Sequence, residues 1–198
     1  MTTQPKKVMG IEKPVQIVKN GTMVTASGQI VYLLNPDPAT INIEDIAHGL
    51  ANNSRWNGHT KAYWSVAQHC CMMHDFAPKG EELTYLLHDA EEAYWGDMIK
   101  PLKNIIFELA PEIIRYMNNM RDIIFMKYGI QEMTEDVKRM DVKLLAWEYE
   151  NLIERLQFNP IWDPSIAKIE WLHRYYNAKH GADYVLTNLK DLWTNAQK

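Results

Sequence analysis

The sequence predicts an all-α protein carrying a small N-terminal β-hairpin. Two observations lead to this class. Strand-like, β-branched runs occur only between residues 22 and 33, and beyond the Asn35-Pro36-Asp37-Pro38 stop apolar residues recur at helical spacing. Helix punctuation also recurs through the rest of the chain, as Asn or Thr at starts and Gly or Pro at ends.

Residues 1–20 contain Pro5, Gly10 and Pro14 without a sustained period, and read as a loose arm before one domain over 21–198. Thr22–Thr25 and Gln29–Leu33 flank Ala26-Ser27-Gly28 as a hairpin. Asn42 can cap a helix over Ile43–Ala51. Tyr63–Asp75 has helical spacing and is stopped by Pro78 and Gly80. Glu81–Tyr94 opens on acids and has Gly96 beyond its end, which predicts one helix. Pro111–Tyr128 ends at Gly129, and Thr134 caps a long helix to about Leu156. After a loop at Asn159-Pro160 and Asp163-Pro164, two weaker helices are expected near 165–178 and 182–195.

Composition narrows the function classes. The 198 residues are 46% hydrophobic and 23% charged, the balance of an ordinary globular domain. A net charge of −4 argues against a general polyanion binder, so no nucleic-acid partner is expected, while a small phosphorylated ligand needs only one or two local cations. The longest apolar runs, such as Ile30–Leu34, are far shorter than a membrane span or a signal-peptide core, so neither is expected. The only cysteines, Cys70 and Cys71, are adjacent and form no CxxC pair, which fits a cytoplasmic protein without a thiolate zinc site. Seven Trp and eleven Met fill either a helical core or a subunit interface.

Titratable residues stand where core residues belong. On the helix from Thr134 the apolar stripe runs Val137, Leu144, Leu145, and Asp141 lies four after the first and three before the second, so it faces inward. A buried carboxylate needs a partner: a salt bridge or cap on a neighbouring helix, or a metal ion. His69 lies three after Val66 and three before Met72, either as a satisfied core histidine or as a ligand. His88, Asp89 and Glu92 share one side of their helix, either as a solvated face or as part of a site. Imidazole and carboxylate together are the donors that borderline and hard divalent cations accept, so convergence of His69, His88, Asp89 and Asp141 on one ion would account for all four. A second His-Asp pair, His74-Asp75, sits at a helix end before Pro78 and reads as dipole compensation.

A His, then a His-Asp pair, then a distant Asp resembles the HD-domain metal-dependent phosphohydrolases. The similar text is long: Asp45–Leu50, Arg55–Thr60, Tyr63–His69, Leu87–Asp97 and Pro101-Leu102-Lys103, covering about residues 28–141. It is similar to the phage and prophage branch, which includes dATP triphosphohydrolases of 2-aminoadenine phages, and more distantly to bacterial 5′-deoxynucleotidases. The resemblance implies an HD-domain helical bundle in which His69, His88, Asp89 and Asp141 bind a divalent metal ion (Zn, Co, Mn or Mg). It implies that Glu92 is the catalytic acid/base and that Asp97 is a second carboxylate near the attacking water. Arg55 and Lys103 would contact phosphate, Trp56 would pack on the deoxyribose, and Ile99 would line the nucleoside pocket. His48 and His59 fall in similar text with no role to carry over. The implied reaction is hydrolysis of a deoxynucleotide at the α-phosphate by a homo-oligomer, dATP going to deoxyadenosine and triphosphate. The alternatives are a 5′-deoxynucleotidase acting on monophosphates, a non-catalytic nucleotide-binding regulator, and a helical interaction module with buried salt bridges. A cyclic-dinucleotide phosphodiesterase of the same superfamily is disfavoured, since the chain has no Gly-Tyr-Pro signature.

Overall fold

A computed structural model describes residues 21–158 and 160–181 of the chain. The expected arm over 1–20 and the helix expected over 182–195 lie outside the described residues. Within them the protein is an α-helical bundle with one short hairpin, the class expected from the sequence. Strands β1 (Thr22–Val24) and β2 (Ile30–Tyr32) pair antiparallel with Met23 opposite Val31. The hairpin is anchored from its turn: the Asp45 carboxylate accepts hydrogen bonds from the Thr25 and Ser27 hydroxyls and the Ser27 N–H.

Helix α1 (Ile43–Asn52) starts where Asn42 Oδ1 accepts the Glu44 N–H at 2.8 Å. Helix α2 (Val66–Asp75) is capped by Ser65, so it begins three residues later than its apolar spacing predicts. Helix α8 (Pro164–His180) is capped by Asp163 and lies against α1, α2 and the helix over Glu82–Leu87. Ile46, Leu50, Ala67, Cys70, Leu86, Leu87, Met120, Ile124 and Trp171 fill the space between these helices and α6 (Pro111–Tyr128). The thiols of Cys70 and Cys71 are free and buried in this core; Cys71 serves as a small apolar side chain, while Cys70 also hydrogen-bonds His88. No helix among the described residues is long and apolar enough to cross a membrane.

Three expectations are corrected. The segment expected as one helix over Glu81–Tyr94 is α3 (Glu82–Leu87) and a short α4 (Glu92–Trp95), separated by a tight turn. The Ala90 N–H bonds the Leu87 carbonyl and the Glu92 N–H that of Asp89, so the four-residue ladder gives way to a three-residue one. A helix not foreseen, α5 (Lys100–Leu109), stands between the Lys100-Pro101 start and Pro111. Its apolar residues have helical spacing, yet among the described residues Leu102, Ile105, Phe107 and Leu109 are exposed. The long helix from Thr134 is α7 (Glu135–Glu148), which passes into a π-helical turn over Tyr149–Glu154. On α7 the inward stripe is Val137, Leu144 and Glu148; Leu145 is 38% exposed, because position 148 rather than 145 continues the buried face.

Close packing of α1 on α4 depends on one residue without a side chain. A Cβ placed on Gly49 would stand 2.9 Å from both the Cβ and the carbonyl oxygen of Ala93. The glycine thereby lets α1 support the single turn of helix that carries Glu92.

Candidate metal centre

Three elements bring the expected ligands together. His69 comes from α2, His88 and Asp89 from the turn after α3, and Asp141 from α7. One ligand atom from each lies within 4.8 Å of every other, so this cluster could hold a metal ion. Adjacent residues on a regular helix diverge, so the break after Leu87 is what brings Asp89 Oδ2 to 3.1 Å from His88 Nε2. His69 Nε2 lies 3.2 Å from Asp141 Oδ1 and 3.7 Å from Asp89 Oδ2. Asp141 forms the open edge of the cluster, its side chain 37% exposed, while both imidazoles are buried.

The hydrogen bonds behind the rings set their tautomers. His69 Nδ1 donates to the Glu148 carboxylate at 2.7 Å, and His88 Nδ1 donates to the Tyr85 carbonyl, which can only accept, at 2.8 Å. In their neutral forms both rings would present a lone pair on Nε2, and the two Nε2 atoms face each other at 3.2 Å. A proton or a metal ion on that pair relieves the repulsion between the lone pairs. Ligand atoms about 2.1 Å from one ion stand about 3 Å apart when adjacent, so the spacing and the nitrogen–oxygen donor set both fit a divalent cation. Burial works against a charged His88, yet Asp89 holds its pKa well above the ordinary imidazole value. Burial likewise opposes the charge of Asp89 and Asp141, and the facing histidines nevertheless keep both carboxyls below their usual range.

Beside this cluster lies a second group of acids. Glu92 is 2% exposed; its Oε1 accepts Lys103 Nζ at 3.1 Å, and its Oε2 has no hydrogen-bond partner among the described residues. Burial, then the charges of Asp89 and Asp97, push the Glu92 carboxyl well above the usual range. Burial also raises Asp97, against the pull of Arg55. Burial, together with Asp89, pushes Glu91, next to Glu92 in the chain, up to about 7. Gly96, at φ +79°, turns the chain out of α4 so that Asp97 Oδ2 accepts the Trp56 N–H at 3.2 Å. Ile99 is half-buried at the start of α5, one turn before Lys103.

Arg55 and Trp56 stand on the short turn Arg55–Gly58. Arg55 is buried, with Nη1 3.6 Å from Asp89 Oδ2 and Nε bonded to Glu148 at 3.1 Å. Trp56 and Asn57 both adopt left-handed backbone, φ 58° and 50°, which costs energy in residues with a Cβ. The structure thus gathers His69, His88, Asp89, Asp141, Glu92, Asp97, Arg55, Trp56 and Lys103 around one region. It leaves His48 and His59 exposed. His74-Asp75 stands apart in a structural ion pair, Arg174 bridging both Asp75 oxygens at 2.8 Å.

One residue at the centre was missed. Glu148, fully buried, accepts four hydrogen bonds, from Arg55 Nε, Trp56 Nε1, Trp64 Nε1 and His69 Nδ1. Burial raises its pKa, but Arg55 and His69 outweigh that and bring it down to about 2. The signal was present: Glu148 is seven residues after Asp141 and four after Leu144, on the face that made Asp141 conspicuous.

No protein-family model matches the chain. It is similar to the uncharacterized protein YfdR of Escherichia coli strain K12, with 36% identity over 131 residues, covering 65% of this chain and 70% of YfdR. It is also similar to an uncharacterized protein of Rhodobacter capsulatus, with 46% identity over 89 residues, covering 40% of this chain and 45% of that protein. The extent of the first match establishes kinship across most of both chains, and the chain belongs to the same family as YfdR.

Proposed function

We propose that the protein is an HD-domain phosphohydrolase that cleaves a deoxynucleotide at the α-phosphate in a reaction dependent on a divalent metal ion. The observation that carries the reading is the pair of buried His Nε2 atoms facing each other at 3.2 Å with two carboxylates alongside. When bound, the ion lowers the pKa of water and neutralises phosphate charge.

The chain's own residues supply the remaining functions. Water attacks the α-phosphorus, the bond from phosphorus to the 5′-oxygen breaks, and the 5′-oxygen leaves with a proton that the attacking water's own released proton replaces on the acid. Asp97, held at the Trp56 N–H, orients the water. Glu92, whose burial favours its protonated form, delivers the proton to the 5′-oxygen. Arg55, fixed through Nε, directs its terminal nitrogens toward the phosphate beside Asp89, and Lys103 adds a second cation near Glu92. The Trp56 ring packs on the sugar, disfavouring a 2′-hydroxyl, and Ile99 lines the nucleoside side.

The resemblance to the phage enzymes selects dATP as substrate, with deoxyadenosine and triphosphate as products, and a homo-oligomer as the working form. The test is a panel of all deoxynucleoside mono- and triphosphates, run with Mn²⁺, Co²⁺, Mg²⁺ and Zn²⁺ after chelation, with products separated by chromatography. Release of deoxyadenosine and triphosphate from dATP is the expected result. Activity confined to monophosphates would replace the triphosphohydrolase reading by a 5′-deoxynucleotidase. Tight nucleotide binding without turnover would replace it by a regulator. Sedimentation of a monomer at working concentration would overturn the oligomer.

A further inference from the structure

Glu148 divides its two oxygens between two parts of the site. Oε1 accepts from His69 Nδ1 at 2.7 Å and from Trp64 Nε1 at 2.9 Å, on the side of the metal ligands. Oε2 accepts from Arg55 Nε at 3.1 Å and Trp56 Nε1 at 2.9 Å, on the side of the turn. We infer that Glu148 is a positioning residue that couples the Arg55–Trp56 turn to the ligand His69, so that the conformation of the turn and the affinity for the metal depend on each other.

The surrounding backbone supports the coupling. Glu148 is the last α-helical residue of α7, and the π-helical turn that follows widens the helix at that point. Such a wide turn is an interruption that commonly accompanies functional sites. Here it sets the Tyr149 ring 6.2 Å from that of Trp56 and presents the Leu152 carbonyl to the Lys61 N–H at 2.9 Å. Lys61 Nζ also bonds the Glu154 carbonyl. The segment from Glu148 to Glu154 is therefore tied along its length to the loop from Arg55 to Lys61. That loop contains two consecutive left-handed residues, a conformation that persists only while its surroundings hold it. A change at the turn alters the donors on Oε2, and the same carboxylate orients the His69 ring through Oε1. Carboxylates behind a ligating histidine set its orientation and basicity. By linkage, whatever rearranges the turn on metal binding is matched by an equal effect of the turn on metal affinity.

The inference rests on the metal reading of the proposed function, and its test reads metal binding rather than turnover. Affinity for Co²⁺ is measured by chelator competition, and the visible absorption of bound Co²⁺ is recorded, for wild type, Glu148→Gln, Trp56→Phe and the double variant. Glu148→Gln is expected to weaken Co²⁺ affinity by about 10- to 100-fold and to shift the absorption bands. Trp56→Phe keeps an aromatic ring and all four ligands but removes one donor to Oε2. It is expected to weaken Co²⁺ affinity about fivefold, and to have no further effect once Glu148 is Gln. Unchanged Co²⁺ affinity in Trp56→Phe would overturn the coupling even if Glu148→Gln fails to fold, because that variant carries the test alone. Additive effects in the double variant would overturn it as well. A wild-type protein that binds no Co²⁺ overturns the metal reading and this inference together. A protein that binds Co²⁺ and couples as described, but hydrolyses no deoxynucleotide, overturns the hydrolase reading and leaves the inference standing.

Discussion

Two glutamates of this site are buried almost equally and behave in opposite ways. Glu148 is 0% exposed and Glu92 2%. Glu148 sits among four N–H donors, including a guanidinium, and is held ionised down to a pH of about 2. Burial and the charges of Asp89 and Asp97, against a single lysine, keep the Glu92 carboxyl protonated well above the usual range, and its second oxygen has no hydrogen-bond partner among the described residues. Burial raises the pKa of both. The difference shows that donors and neighbouring charges, rather than depth, decide which buried acid is an anion. One acid is suited to orienting a ligand and the other to carrying a proton, the division seen wherever paired carboxyl groups take separate tasks.

The sharpest way to break this comparison is to neutralise each acid in turn. Glu92→Gln should lower turnover about 10²- to 10⁴-fold at saturating metal while leaving metal affinity and the melting temperature close to wild type. Full turnover in that variant would remove Glu92 from proton handling. Glu148→Gln should instead cost about 3 kcal/mol of folding stability, because it leaves the buried Arg55 charge without its closest partner. Urea unfolding of metal-free protein measures this, and a loss no larger than that of Glu92→Gln would mean that the four donors do not make Glu148 distinct.

A smaller effect tests the support of the Glu92 side. Gly49→Ala places a methyl against Ala93 and should cost about 1–3 kcal/mol, with α4 displaced and turnover reduced. Unaltered stability and kinetics would show that α4 yields without disturbing Glu92. The smallest effect is expected far from either glutamate, at the ion pair of Arg174 with the half-exposed Asp75. Its hydrogen bonds to His74 and Arg174 overcome partial burial and hold the Asp75 carboxyl below its ordinary value. Because the folded pKa is depressed, this contribution is full above the ordinary Asp value near pH 4 and is lost as the pH falls from there through the lower folded value. Arg174→Ala should cost no more than about 1 kcal/mol, less at high salt, with no change in Co²⁺ affinity. A change in metal binding would show that α8 reaches the site.

The legibility of these regions differed for physical reasons. Asp141 was readable because a carboxylate interrupted an apolar period within one helix, a purely local signal. Glu148 interrupts the same face, but Leu145 offered a plausible apolar continuation, and the partners that draw Glu148 inward are 79 to 93 residues away. His88 and Asp89 were legible as a motif, but the turn that makes them converge was not. Glu81–Tyr94 has acids at its start, Gly beyond its end and no breaker inside, so nothing local marks the interruption after Leu87. Helix α5 escaped for the opposite reason: its apolar spacing is helical, but among the described residues Leu102, Ile105, Phe107 and Leu109 are exposed.

Helix class, the hairpin and the caps at Asn42 and Thr134 follow from the sequence alone, because each rests on short-range spacing and local hydrogen bonding, whereas the four candidate ligands needed the family resemblance beside their spacing. The ionisation of Glu148 and Glu92, the facing imidazole nitrogens and the strained Arg55–Trp56 turn were decided only by the tertiary structure. They depend on which distant donors and charges share a small, water-poor volume, and at close range in such a volume those interactions outweigh any preference of the residue itself.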